Sequence, residues 1–247
     1  MKRIFTVAFL VIAALSVLSI NVCAQSESRD DVLKQIETKR AELSALEKKF
    51  LTPSEEDRAA YAAFLGQPDT GLIRLLPREV YGNNDDKNKK SLTIRGGGAY
   101  YSFARLTHEY GYGSDIELQQ GYLSVGFAGA DYGMLTKLGD VSLDDISLEH
   151  PGVRFISEYR APAKEADARL EYRRFSNGST IDGVLYENRF PVEANTTFLL
   201  RSINYSDSDV LVAFRVVRKD TDGSVIIAWK LLKKYPVPEL ARNKTEQ

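Results

Sequence analysis

Three runs rich in β-branched and aromatic residues lie close together near the C-terminus, and they constrain the fold more than any other feature. Residues 196–205, 209–218 and 224–234 have the sequences TTFLLRSINY, DVLVAFRVVR and SVIIAWKLLKK. Short polar connections separate them, and the second connection contains the Asp222-Gly223 pair that is typical of β-hairpin turns. The pattern therefore predicts a three-stranded antiparallel meander.

Alternation along the last two of these strands places apolar side chains on both faces of the meander. One face holds Phe214 and Trp229 among aliphatic residues, without a polar side chain. The other face is also mostly apolar but carries Arg215 and Lys230. Because strands with two apolar faces are covered on both sides, we predict that they lie in the middle of a sheet or in a barrel wall, with Phe214 and Trp229 in the core.

Further short apolar runs begin at Thr70 and are separated by glycine, proline, asparagine and aspartate. The predicted class is α+β, with an N-terminal helical pair in residues 25–69 and a mainly antiparallel β domain, a sandwich or partly open barrel, in residues 70–240. Residues 241–247 are predicted to form a disordered tail. Strands are predicted at GLIRLLP, SLTIRG, AYYSFARL, DIELQQ, GYLSVGFAG and VRFISEY, and a surface helix or ordered excursion at PAKEADARLEYRRF.

Two helices are predicted before the β domain. The first has an apolar stripe at helical spacing, which favours packing against the protein's own β domain over a short coiled coil. The second is predicted to begin at the cap Thr52, with Pro53 in the first helical position and Glu55 closing a capping box, and to end at Gly66. The stripe of the first helix consists of Val32, Ile36, Leu43, Leu46 and Phe50.

The N-terminus has the pattern of a cleaved secretory signal. A basic start is followed by an apolar run over residues 4–20 and by small residues before Gln25, so cleavage is predicted after Ala24. A membrane anchor is one alternative. A lipoprotein acylated on Cys23 is another, although that chemistry prefers a small residue just before the cysteine. We therefore expect residues 1–24 to be removed and the protein to be periplasmic or extracellular in a bacterium.

Loss of the signal would change the charge and remove the only cysteine. The full chain has 33 basic and 34 acidic residues, and removal of Lys2 and Arg3 changes the net charge from −1 to −3. This charge gives no electrostatic reason to expect binding to nucleic acid or an anionic membrane, and no stable membrane insertion is expected after cleavage. Without Cys23, the mature domain would be held together without disulfides.

The sequence lacks the common catalytic and metal-binding patterns. Histidine–carboxylate pairs occur at His108-Glu109 and Glu149-His150, but they are far apart and no HExxH spacing is present. There is also no Gly-x-Ser-x-Gly elbow and no Ser-x-x-Lys motif. We therefore predict neither a metal nor a cofactor, and we favour a protein that is not an enzyme.

One stretch, RGGGAYYSFARLTHEYGYGSD at residues 95–115, has the composition of a binding loop. The consecutive glycines Gly96, Gly97 and Gly98 predict a bulge, a sharp bend or a close backbone approach. Loop tyrosines beside a histidine and carboxylates suit a sugar, a peptide or an aromatic ligand, and the alternative is a glycine-kinked hairpin with tyrosines packed on the sheet. The predicted binding residues are His108, Glu109, Tyr110, Tyr112 and Asp115.

Together these features predict a binding or interaction protein of the cell envelope or the exterior, with an envelope glycan or protein as its partner. One alternative is a glycan-acting hydrolase that uses Glu109 and Asp115. Another is an outer-membrane β-barrel, which the tyrosines, glycines and alternating strands favour. The two apolar faces of the C-terminal strands and the ending ARNKTEQ argue against that alternative.

Overall fold

The computed structural model describes residues 28–82, 89–111, 113–127 and 129–241. The chain divides into two compact units, Met1–Arg40 and Ala41–Gln247. Helix α1 (Arg29–Leu51) contributes residues to both units, and all the strands belong to the second. Among the described residues, none of the helices combines the length and the apolar character that crossing a membrane requires.

The larger sheet of the second unit contains the predicted meander. Its five strands have the order β1-β11-β10-β9-β5, and all neighbouring strands are antiparallel. The three C-terminal strands are consecutive in the sheet, and a turn at Asp222-Gly223 joins the last two, so the meander is confirmed. The five strands are β1 (Thr70–Leu75), β5 (Tyr132–Gly139), β9 (Thr196–Asn204), β10 (Ser208–Lys219) and β11 (Val225–Lys234).

A second sheet of four short strands and a separate hairpin complete the β structure. The four strands are also antiparallel, and both sheets are open. In sheet order, the four strands are β2 (Tyr100–Tyr101), β3 (Ile116–Gln119), β4 (Tyr122–Ser124) and β8 (Arg189–Pro191). The hairpin pairs β6 (Ser179–Ile181) with β7 (Val184–Tyr186).

Both faces of the five-stranded sheet are covered, as its apolar pattern predicts. On one face, Phe214 and Trp229 are buried in a cluster that includes residues of the four-stranded sheet. On the other face, the cluster includes residues of α5 (Arg154–Glu158) and α6 (Glu165–Ser176), among them the fully buried Phe175. The described residues therefore form an α+β structure with antiparallel sheets.

Several local predictions differ from the structure, among them the strand at AYYSFARL, of which only Tyr100 and Tyr101 form β2. The run VRFISEY, predicted as a strand, forms α5, because Pro151 opens a 3-10 turn that continues into the helix. The run SLTIRG forms turns, because it leads directly into the glycine corner. The helix after α1 has Ser54, not Thr52, as its cap, and Asp57 closes the capping box. This part of the chain forms α2 (Glu55–Ala60) and α3 (Ala62–Leu65), and a further turn, α4 (Arg78–Tyr81), follows β1.

Within the second unit, the buried face of α1 is not the predicted stripe. Leu43, Leu46 and Phe50 are 41%, 64% and 39% exposed, whereas Glu47 and Leu51 are buried. Glu47 and Leu51 are four residues apart and therefore lie on the same side of the helix. The buried side of α1 thus contains a carboxylate, Glu47, beside Leu51, and the apolar pattern of the sequence does not predict a buried carboxylate there.

Candidate functional site

The three consecutive glycines form a tight corner before β2. Their φ angles are 81°, 63° and 76°, all in the left-handed region. A Cβ on Gly97 would lie 2.3 Å from the backbone of Tyr81 and 2.4 Å from Cα of Gly82. The corner therefore packs against the end of α4 at a distance that only glycine permits.

A groove of about 800 Å³ lies beside this corner. Its walls come from the last turns of α1, from α2 and α3, from β1 and from both sides of the corner. Two of the predicted binding residues, His108 and Glu109, line it. The other charged lining residues are Glu47, Lys48, Arg58 and Arg95, and the aliphatic ones are Leu51, Leu65, Leu72, Ile73, Ile94 and Leu106.

His108 is held as a neutral imidazole at the groove. Its Nε2 lies 2.8 Å from the backbone carbonyl oxygen of Arg74, and the centroids of its ring and the Tyr101 ring are 4.9 Å apart in an edge-to-face arrangement. Because a carbonyl oxygen only accepts, Nε2 carries the proton and Nδ1 is left as an acceptor. Burial lowers the pKa of His108 from its ordinary value of 6.5 to about 4, with the hydrogen bond to Arg74 opposing the shift.

We expect the imidazole of His108 to titrate near pH 4 in the folded protein. The chain has two histidines, so NMR signals of the ring carbons can be assigned by comparing the wild type with His108→Gln. Protonation favours the unfolded chain, in which the pKa is about 6.5. The stability contributed by neutral His108 is therefore complete above pH 6.5 and is lost as the pH falls towards 4. A midpoint near 6.5 for the assigned signal would contradict this burial.

The carboxylate of Glu47 forms part of the groove wall although its residue is only 7% exposed. Thr93, on the loop before the glycine corner, donates to it from both the backbone N–H and Oγ1, the latter at 2.9 Å from Oε2. A carboxylate has about four acceptor positions, and Thr93 supplies two protons. Glu47 therefore fixes the loop to α1 and retains acceptor capacity.

Tyr110 lies at a second, smaller cavity of about 230 Å³. Its ring packs on Tyr100, with centroids 4.4 Å apart, and the guanidinium of Arg95 lies 5.9 Å from its centroid. Arg95 lines both cavities. Tyr112, which was predicted together with Tyr110, lies outside the described residues.

Asp115 lies in the interior and is not among the residues that line either cavity. Its carboxylate accepts hydrogen bonds from the backbone N–H of Phe103 at 2.7 Å and from Nδ2 of Asn204 at 3.1 Å. Burial raises the pKa of Asp115 to about 6, and hydrogen bonds from Ser202 and from the backbone N–H groups of Phe103 and Ala104 oppose the shift. Its contacts join the loop after β2 to the end of β9, so the geometry gives it a structural role.

The structure thus separates the predicted binding residues. His108 and Glu109 line the groove, Tyr110 lines the smaller cavity, and Asp115 is buried behind them. The second histidine pair is elsewhere, since His150 caps a 3-10 turn by accepting from Gly152 N–H.

Sequence reasoning missed the helical wall of the groove. Glu47, Lys48 and Arg58 lie on α1 and α2, and on an amphipathic helix such residues are ordinarily solvated. Thr52 and Pro53, which lie between the two helices, also line the groove. The only local signal for this wall was the break between the two helices at Thr52 and Pro53. This break brings residues of α1 and residues of α2 to the same cavity.

Comparison with known proteins identifies no relative from which the function of the groove could be inferred. The chain matches no protein family model, no curated protein and no solved structure. The feature of the structure that bears on function is therefore the groove, whose lining combines charged and aliphatic side chains.

Proposed function

We propose that this chain is an exported binding protein, not an enzyme, and that its ligand occupies the groove beside the glycine corner. The observation that carries the proposal is the groove itself. Its volume of about 800 Å³ lies within the range of small-molecule sites, and it combines aliphatic side chains with a few polar groups, as such sites do.

The chemistry of the lining argues against a glycosidase that uses Glu109 and Asp115. The two carboxylates of a glycosidase must face each other across one cleft. Glu109 lines the groove, whereas Asp115 is buried and held by backbone and side-chain donors. A histidine with a pKa near 4 is also a weak base at neutral pH.

Export is part of the proposal and rests on the N-terminal sequence. The basic start, the apolar run and the small residues before Gln25 support a cleaved signal and a periplasmic or extracellular site of action. These residues lie outside the described part of the chain. A ligand of the cell envelope, a glycan or a peptide, is consistent with that location.

We expect at least one of three probes, diacetylchitobiose, trileucine or phenol, to bind the groove at millimolar concentration. Amide signals of groove residues such as Lys48 and Glu109 should shift in NMR titrations, because these residues surround the cavity. Signals of the β6–β7 hairpin should not shift. If all three probes leave the groove signals unchanged, the proposed function is wrong.

A matched pair of variants tests whether the groove is responsible. Glu109→Gln should alter binding of the probe, because the side chain lines the cavity. Glu56→Gln should leave binding unchanged, because Glu56 is an exposed residue of α2 that is not among the lining residues. Equal effects of the two substitutions would argue against the groove as the binding site.

A further inference from the structure

We infer that the ligand of the groove is a short peptide with free termini, whose ammonium group is received by Glu47 and whose carboxylate is received by the groove cations. This inference rests on the proposed function and specifies the ligand class. Its basis is that the charged side chains of the groove lining form no ion pairs with one another.

Glu47 is the acidic end of the site. Its residue is 93% buried, yet none of the basic residues that line the groove forms an ion pair with it, and Thr93 supplies its hydrogen bonds. Burial of a carboxylate is costly unless a cation or further donors compensate. An ammonium group, with three N–H donors and a positive charge, would supply both.

The cations of the groove are Lys48, Arg58 and Arg95. No carboxylate of the described residues forms an ion pair with any of them. Eight other arginines of the described chain do pair with a carboxylate. The groove therefore concentrates basic groups that are available to a ligand carboxylate.

The balance of charge favours a dipolar ligand over a simple ion. Three cations face two carboxylates, Glu47 and Glu109, while His108 is neutral at pH 7. A polyamine would be opposed by the three cations, and a simple polyanion by the two carboxylates. A zwitterion can pair its ammonium group with the carboxylates and its carboxylate with the cations.

The aliphatic lining accounts for the part of the ligand between its charges. Leu65 ends α3, Leu72 belongs to β1 and Ile94 precedes the corner, and each keeps partly exposed apolar surface at the groove. Burial of apolar ligand side chains there contributes roughly 25 cal/mol per Å² of apolar surface removed from water. A peptide with aliphatic side chains matches this surface, whereas a sugar does so only in part.

Trileucine, N-acetyl-trileucine and trileucine amide form a matched set of probes. They share the same apolar side chains and differ only in the charge at one end. Calorimetric titration of the wild type should show trileucine as the tightest ligand. Each blocked form should bind at least about tenfold more weakly, because one charged contact is lost.

Glu47→Gln separates ligand recognition from the structural contact with Thr93. The glutamine retains an oxygen that accepts from the Thr93 N–H but lacks the negative charge. We expect this variant to bind trileucine and N-acetyl-trileucine equally, whereas Glu56→Gln should retain the preference for the free ammonium. If Glu47 only holds the loop, the melting temperature of Glu47→Gln will fall and the ratio of the two affinities will not change.

The cationic end has its own test. The double variant Arg58→Gln/Arg95→Gln should bind trileucine and trileucine amide equally. Arg154→Gln, which changes an exposed arginine outside the groove lining, should retain the preference for the free carboxylate.

Two outcomes with the wild-type protein would overturn the inference and leave the proposed function intact. One is equal binding of the three trileucine forms to the wild type. The other is groove binding of diacetylchitobiose or phenol without binding of trileucine. Failure of every probe would overturn the proposed function together with the inference.

Discussion

Replacement of Arg201 by methionine is expected to lower the free energy of unfolding by roughly 3–5 kcal/mol. The side chain is almost completely buried in β9, and two of its nitrogens bond Asp209 at 2.6 and 2.9 Å. A third nitrogen donates to the carbonyl oxygen of Ile156 at 2.8 Å, and the ring of Tyr235 lies 3.3 Å from the guanidinium carbon. Methionine would leave Asp209 as a buried carboxylate without its cation.

A surface ion pair of the same sheet is the matched control. Lys137 of β5 pairs with Glu193, and both side chains are well exposed. Lys137→Met should therefore cost no more than about 1 kcal/mol. Urea unfolding of both variants tests the difference, and a loss of similar size in each would contradict the structural role assigned to Arg201. In the double variant Arg201→Met/Asp209→Leu, stability should recover in part, because no unpaired buried charge remains.

The meander that holds this ion pair was predictable because its signals are local. β-Branched runs, an Asp-Gly turn and alternation determine three neighbouring strands from consecutive sequence. The Arg201–Asp209 pair follows from the same hairpin, since Leu211 lies opposite Arg201 and Ile203 lies opposite Asp209. The two charged residues are therefore diagonal neighbours on one face.

The remainder of the sheet depends on contacts that no local pattern contains. β1 pairs with β11 although about 150 residues separate them, and Gly71 lies opposite Trp229 in that register. Short apolar runs are ambiguous because the same pattern is compatible with a strand and with a helix. VRFISEY has a strand pattern, yet it forms a helix after the Pro151 turn.

At the candidate site, too, local features were predictable from the sequence and contacts between distant residues were not. The composition of residues 95–115 indicated His108 and Glu109, and both line the groove. Their partners across the groove were not predictable, because Glu47 meets Thr93 through a contact between residues 46 positions apart. The sequence placed Asp115 in a binding loop, but in the structure it is buried. It accepts hydrogen bonds from the chain after β2 and from β9.

Replacement of Gly97 by alanine is expected to have the other large effect, a loss of more than about 4 kcal/mol in the free energy of unfolding. Its φ of 63° is strained for any residue with a side chain. In addition, the new Cβ would lie 2.3 Å from the backbone of Tyr81, which cannot rotate away as a side chain could. Relief of that contact requires the corner to move away from α4.

Gly183→Ala separates the effect of the backbone angle from the effect of the contact. Gly183 has a φ of 79°, in the same region, but a Cβ there would have no atom within 4 Å. It should lose only about 1–2 kcal/mol. Thermal and urea unfolding of the two alanine variants should therefore differ by several kcal/mol, and equal losses would show that the corner can yield. Because residues on both sides of the corner line the groove, a folded Gly97→Ala protein should also lose affinity for groove ligands, whereas Gly183→Ala should retain it.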